Sequence, residues 1–202
     1  MKKNETKTEE KQLTPQQDLL LYVRDLVYLF SLIIVVFILC FRMVVVSGDS
    51  MYDTLVNDDA LLLLSNTFYS KPQAGDIVVV SMEDFENGRP IVKRVIATEG
   101  QTVDIDFTKG VVFVDGKPLD EPYVNTPTNT NGGMKFPMVV DEDCIFAMGD
   151  NRNSSRDSRY TEIGLIDTRE ILGKAIFLIF PGDPDGADGP EKRDLGRIGA
   201  VT

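Results

Sequence analysis

Residues 26–41 read LVYLFSLIIVVFILCF, sixteen positions without a charged side chain, and no other stretch limits the possible folds so strongly. After Arg42 the apolar run resumes through Met43, Val44, Val45 and Val46. At about 1.5 Å per residue, a helix of ~20 residues crosses roughly 30 Å of hydrocarbon. Residues 26–46 meet that length if Arg42 lies at an interface and reaches water along its own stem. A buried core helix rarely stays apolar all round for so long. A cleaved signal peptide has a shorter apolar stretch with small residues before the cut, where this chain has three valines. The expectation is a retained membrane span over 26–46, with 1–25 as a polar cytoplasmic N-terminus. Lys2, Lys3, Lys7, Lys11 and Arg24 lie in that N-terminus, and the positive-inside rule counts them while largely ignoring the five carboxylates beside them. Arg42, on the far side, weakens the bias. Residues 1–18 are polar enough to read as disordered.

The 202-residue chain leaves room for one domain beyond the span. Residues 47–202 carry 15 Lys and Arg against 27 Asp and Glu. That balance argues against a nucleic-acid partner, which needs a basic footprint. Short Val- and Ile-rich segments at 60–64, 76–80, 91–96, 102–105, 111–114, 144–148 and 175–180 are separated by turn residues, among them the Asp115-Gly116 step. Such a pattern predicts a mainly β domain over 47–181, with room for a short helix at 164–171. Residues 182–202 open on Gly-Asp-Pro-Asp-Gly-Ala-Asp-Gly-Pro and read as a flexible acidic tail. Cys40 and Cys144 sit in contexts too different for a disulfide framework or a metal cluster, so neither a metal nor another cofactor is expected.

The chain contains no histidine. Ser-His-Asp and Cys-His machinery is therefore excluded. Three segments still carry chemistry. In Ser47-Gly48-Asp49-Ser50-Met51-Tyr52-Asp53-Thr54-Leu55, Ser50 has two readings: a cap on a helical turn with Asp53 three positions on, or a hydroxyl aimed by the backbone freedom of Gly48. In Ile91-Val92-Lys93-Arg94-Val95-Ile96, a strand places Lys93 on the face of Ile91 and Val95, with Arg94 opposite. Lys93 is then either a snorkelling cation or a desolvated, neutral base. A free lysine titrates near ~10.4 and a working base needs ~7–8, a shift of roughly 4 kcal/mol that burial can supply. Without histidine, Lys93 is the base a serine nucleophile could use. The third segment, 149–159, reads GDNRNSSRDSR. Asn151, Asn153, Ser155, Asp157 and Glu162 mimic calcium-loop intervals, but Arg156 stands where such a loop needs Gly and three arginines repel a cation. What remains is a solvated turn of Asp–Arg pairs, or a rigid polar loop whose hydroxyl orients the base.

Taken together, in this order behind an apolar span, the three segments resemble bacterial type I signal peptidase in its compact, single-span form. Ser50-Met51 with Thr54-Leu55 is similar to that family's nucleophile box, and Lys93-Arg94-Val95-Ile96 to its base box. Gly149-Asp150-Asn151-Arg152 with Ser155, Asp157, Ser158 and Arg159 resembles its last box. Gly75-Asp76-Ile77-Val78-Val79, the stretch from Asp115 to Tyr123 and Gly173-Lys174-Ala175 are also similar. The likeness covers roughly residues 20–181. It implies an antiparallel β catalytic domain with an extended groove that pairs with the substrate backbone. It also implies a membrane-anchored serine endopeptidase that removes signal peptides from secreted preproteins after small residues, typically Ala-x-Ala.

In that reading Ser50 attacks, Lys93 takes its proton, Ser155 hydrogen-bonds the Lys93 amine, and Asp157, Arg159 and Arg94 brace the site. Gly48 shapes the oxyanion loop, with the donor the backbone N–H of Ser50. Met51, Leu55, Ile91 and Val92 wall the pockets for small side chains. Partners implied are signal peptides of preproteins, the lipid bilayer and the secretion translocon. The implied location is the bacterial cell membrane, single-pass, with the catalytic domain extracytoplasmic. The family usually has Pro where this chain has Asp53, and Gly-x-Pro-Gly-Asp where it has Ala97-Thr98-Glu99-Gly100-Gln101. Two rivals stand against it. A self-cleaving Ser–Lys protease of the SOS-repressor kind shares the dyad but is soluble, with a partner-binding segment where this chain is apolar. A catalytically dead, tethered β module would have no use for Ser50, Lys93 and Ser155 together.

Overall fold

The computed structural model describes residues 14–83, 85–183 and 193–201. The chain divides into two units, residues 1–39 and 40–202. In the first, helix α1 (Pro15–Cys40) starts on a reciprocal cap. Gln17 N–H donates to Thr14 Oγ1 at 3.4 Å, and Thr14 N–H donates to Gln17 Oε1 at 3.0 Å. Pro15 takes the first helical position, where its missing N–H costs nothing. No residue of α1 is buried. Among the described residues α1 is the one helix long and apolar enough to cross a bilayer.

The helix departs from expectation at both ends. It begins at Pro15, so residues 15–18 are helical, while residues 1–13 lie outside the described residues. It stops at Cys40, and Phe41–Val45 form strand β1 rather than the last turns of a span. The cause is a partner. Strand β2 (Ala60–Ser65) pairs antiparallel with β1 from Phe41↔Leu64 to Val45↔Ala60, and β-branched valines suit the extended backbone. Arg42 is thus a strand residue opposite Leu63.

All seven segments read as strands are strands in the second unit, several with shifted ends. They are β2, β3 (Ile77–Val80), β4 (Ile91–Thr98), β5 (Thr102–Asp106), β6 (Val111–Val114), β9 (Cys144–Met148) and β11 (Ile171–Phe180). Shorter pieces join them: β7 (Lys117–Pro118), β8 (Met138–Val139), β10 (Ile166–Asp167) and β12 (Gly199–Ala200). A large antiparallel sheet runs β1-β2-β11-β3-β4-β9-β10 with β12 on β11, and a smaller one runs β7-β6-β5-β8. Asp115-Gly116, both at positive φ, make the two-residue turn between β6 and β7. The short helix expected at 164–171 is instead β10 followed by a 3₁₀ turn, Thr168–Glu170. The Asp167 carboxylate caps the start of that turn by accepting from the Arg169 N–H, and the turn ends where Ile171 becomes extended and enters β11.

Strand β2 alternates half-buried and buried residues, whereas β3 is buried throughout and β4 at every position from Val92 to Ala97. Val79 and Val92 pack with Met51, Leu55, Leu61 and Ile77 in one core cluster. Val78, Val80, Val95 and Ala147 pack in a second cluster. Strand β4 is therefore covered on both faces, and consecutive residues Lys93 and Arg94 are both closed off, at 3% and 2% exposure. Two adjacent basic side chains in a central strand are costly unless each is met by a polar partner.

The stretch expected to be a flexible tail also has structure. Residues 193–201 turn through a 3₁₀ segment (Leu195–Arg197) into β12, while 184–192 lie outside the described residues. Arg197 explains the return. Its guanidinium donates to both oxygens of fully buried Asp59, at 3.0 and 2.7 Å, and to the Thr54 carbonyl at 3.4 Å. Asp59 also accepts the N–H groups of Val56 and Gly182. Arg197→Ala should cost about 1.5–3 kcal/mol, lowering Tm by roughly 3–12 °C in calorimetry. An unchanged Tm would show that the pair does not hold the segment.

Candidate active site

Ser50 sits on the loop between β1 and β2, whose neck is closed by Val46 N–H donating to Asp59 O at 2.8 Å and Asp58 N–H donating to Val46 O at 2.9 Å. Within the loop, Leu55 N–H donates to Met51 O at 2.9 Å, and both of these side chains are 1% exposed in the core. The serine thus rides on a turn anchored by its neighbour. Gly48 holds φ at +92°, a backbone angle that a residue with a Cβ rarely adopts. Its N–H donates to Asn57 Oδ1 at 2.9 Å, which leaves Gly48 as a shaping residue rather than a donor for substrate.

Lys93 Nζ lies 2.8 Å from Ser50 Oγ and donates to the Val92 carbonyl at 2.9 Å. The two residues are far apart in the chain, and the sheet centre brings them together. Ser155 is buried beside them, but the expected bond to Lys93 is absent: its Oγ has no hydrogen-bond partner among the described residues. The Lys93 amine is turned toward Ser50 and the Val92 carbonyl instead. A Cβ added at Gly149 would lie 2.6 Å from Ser155 Cβ and closer still to Ser155 Oγ and the Ser50 carbonyl. Glycine at 149 is what lets the 149–159 loop close on the serine turn.

That loop is bound to the turn at several points. Asn151 N–H donates to Ser50 O at 3.0 Å, and Asn151 Nδ2 donates to Asp49 O at 3.0 Å. The Asp150 carboxylate accepts from Thr54 Oγ1 at 2.6 Å and from Arg94 Nε and Nη2 at 2.9 and 2.8 Å. Arg94 also donates to Gly75 O at 2.9 Å and lies 4.0 Å above the Tyr123 ring. Burial, reinforced by the nearby Glu121 carboxylate, pushes the Tyr123 phenol up to about 12, so the ring stays neutral beside its cation. Arg94 therefore braces the site through Asp150, not through Asp157. Asp157 and Arg159 do form a buried pair, with Nε to Oδ1 at 2.8 Å, and Asp157 accepts the Gly149 N–H at 3.0 Å.

Sequence reading missed the partners rather than the places. Asp150 links the nucleophile turn to the base strand, and Arg152 ties Gly149 O to Glu121 and Thr128. Both lie in motifs already singled out, but spacing does not reveal which carboxylate meets which guanidinium. Asp76 and Lys174, from two further motifs, meet in an ion pair at 2.5 Å. Of the four residues expected to wall pockets, Met51, Leu55 and Val92 belong to one core cluster, while Ile91 packs against the other. The acidic groups of the discarded calcium pattern face arginines: Asp157 meets Arg159, and Glu162 meets Arg156.

Comparison with known proteins points the same way. The family described as signal peptidase, peptidase S26, matches over residues 19–180. The chain is 37% identical over 144 residues to the probable signal peptidase I-1 of a Synechocystis species, covering 67% of this chain and 69% of that one. It is 31% identical over 182 residues to signal peptidase I of Bacillus licheniformis, covering 86% and 95%. A crystal structure of a signal peptidase I from Enterococcus faecalis aligns with a TM-score of 0.42 at 29% identity, covering 52% of this chain and 97% of that one. The family match spans the serine turn, the base strand and the loop that binds them, so the chain belongs to the signal peptidase family, peptidase S26.

Proposed function

We propose that this peptidase is a membrane-anchored serine endopeptidase that cuts signal peptides from secreted preproteins after Ala-x-Ala, with Ser50 as nucleophile and Lys93 as general base. One observation carries the reading: Ser50 Oγ and Lys93 Nζ stand 2.8 Å apart, with Lys93 only 3% exposed. Burial disfavours the ammonium. As a neutral amine, Lys93 accepts the Ser50 proton while Oγ attacks the scissile carbonyl. The oxyanion forms against the Ser50 N–H. Lys93 then returns the proton to the departing amine, and water, activated by the same amine, releases the acyl group and restores the serine. Asp157 and Arg159 brace the loop, Arg94 holds Asp150, and Ser155 supplies a buried hydroxyl beside the pair. The small-residue preference rests on the family likeness; of the four residues expected to line its pockets, Met51, Leu55 and Val92 are closed in the core, and Ile91, half-buried on the base strand, is the one left to meet substrate.

Anchoring is supported by α1, whose large apolar side chains from Leu19 to Leu39, half-buried Leu21 apart, are 47–75% exposed without a bilayer around them. The Lys and Arg residues before the span favour a cytoplasmic N-terminus and an extracytoplasmic catalytic domain at the cell membrane, with the secretion translocon as a neighbour. Two measurements test the proposal. In detergent, the intact protein should process a precursor and Ser50→Ala should not. Protease added outside spheroplasts should digest the body after Ser47 and spare residues 1–25; digestion of the N-terminus alone would reverse the topology.

A further inference from the structure

Beside the serine turn lies a cavity of about 350 Å³ lined by Tyr52, Asp53, Asn125, Thr126, Asp150 and Asn151. Its wall is tied to the backbone of the serine turn, since Asn151 donates to the carbonyls of Ser50 and Asp49. Its charge is lopsided. The Asp150 carboxylate is met by the Arg94 guanidinium through both oxygens, and the nearby Glu121 carboxylate by Arg152. Asp53 is held by a neutral group, the Asn125 amide, which donates to one of its oxygens. The negative charge of Asp53 therefore faces the cavity, among hydroxyl and amide groups that can share further hydrogen bonds.

From this we infer that the cavity is a substrate subsite for a cationic side chain, Lys or Arg, within two residues of the scissile bond, and that Asp53 is its specificity-determining residue. The inference rests on Ser50 being the nucleophile, which puts the cavity next to the bond that is cut. Asp53 stands where proline is usual in the resembling family, so this selectivity belongs to this chain.

The test uses the full-length protein in detergent and peptides of the Ala-x-Ala type. Lys, Gln or Glu is placed in turn at the middle position, the first residue after the cut and the second residue after it. At low salt, one position should show kcat/KM about two- to five-fold higher for Lys than for Gln, the size of an exposed ion pair, with Glu slowest. The gap should close in about 0.5 M salt. Asp53→Asn should bring the Lys-to-Gln ratio to about one, and Asp53→Lys should reverse it in favour of Glu. Asn125→Asp, which adds a second carboxylate to the cavity, should widen the Lys preference, so the result does not hang on one variant folding. Equal rates for Lys and Gln at all three positions, or a Lys preference that survives Asp53→Asn, overturns the subsite. A Ser50→Ala control separates the two readings: retained cleavage sinks the nucleophile assignment, whereas lost cleavage with flat ratios sinks only the subsite.

Discussion

Ser50→Ala and Lys93→Ala should each lower kcat/KM by on the order of 10³-fold or more, and the double variant should be no slower than either single one. Non-additivity is the sharp part. If Lys93 acts only by removing the Ser50 proton across the 2.8 Å contact, it has nothing left to do once the hydroxyl is gone. A double variant much slower than both singles would mean that the residues act separately. Lys93→Met, which keeps the volume and removes a buried polar amine, should fold with an unchanged or higher Tm while remaining inactive. The active protein should also work better as pH rises, because only the neutral amine accepts a proton. With no histidine in the chain, the acidic limb should come from buried Lys93 and lie below the range of a free lysine. Polar replacement of Val95, packed in the core on the strand that carries Lys93, should admit water and move that limb upward. A limb that stays fixed when Lys93 is replaced, with activity retained, removes the mechanism.

The strands were legible because short apolar runs such as Val111–Val114 and Cys144–Met148 are bounded by turn residues. The dyad was legible by elimination, since a chain without histidine has few ways to activate a serine. What escaped depends on partners distant in sequence. Phe41–Val45 read as the end of an apolar helix because nothing within the run announces β2 across from it. Residues 193–201 read as a loose tail because the Arg197–Asp59 pair joins positions separated by most of the domain. The fate of Ser155 Oγ is similar, since only three-dimensional packing against Gly149 shows that it is buried and not bonded to Lys93.

Asp150→Ala should destabilise the protein by about 3–5 kcal/mol and lower Tm by roughly 6–20 °C, the second large effect expected here. The loss comes from Arg94, 2% exposed in a strand covered on both faces, which would keep its charge without the carboxylate that meets two of its nitrogens. Arg94→Ala should cost a similar amount for the reciprocal reason, because Asp150, 1% exposed, would keep only the Thr54 hydroxyl of those partners. Replacing both, as Arg94→Met with Asp150→Leu, removes the charges together and should return Tm to within a few degrees of the parent. Activity should not return with it. Asp150 is also the acceptor that ties Thr54, four residues from the nucleophile, to the strand that carries Lys93, and a leucine cannot accept that bond. The double variant should therefore be stable yet slow, with the loss in kcat rather than KM. A double variant that recovers both stability and rate would show that the pair serves only to fill the core, and that the 2.8 Å approach of Ser50 to Lys93 is held by other contacts.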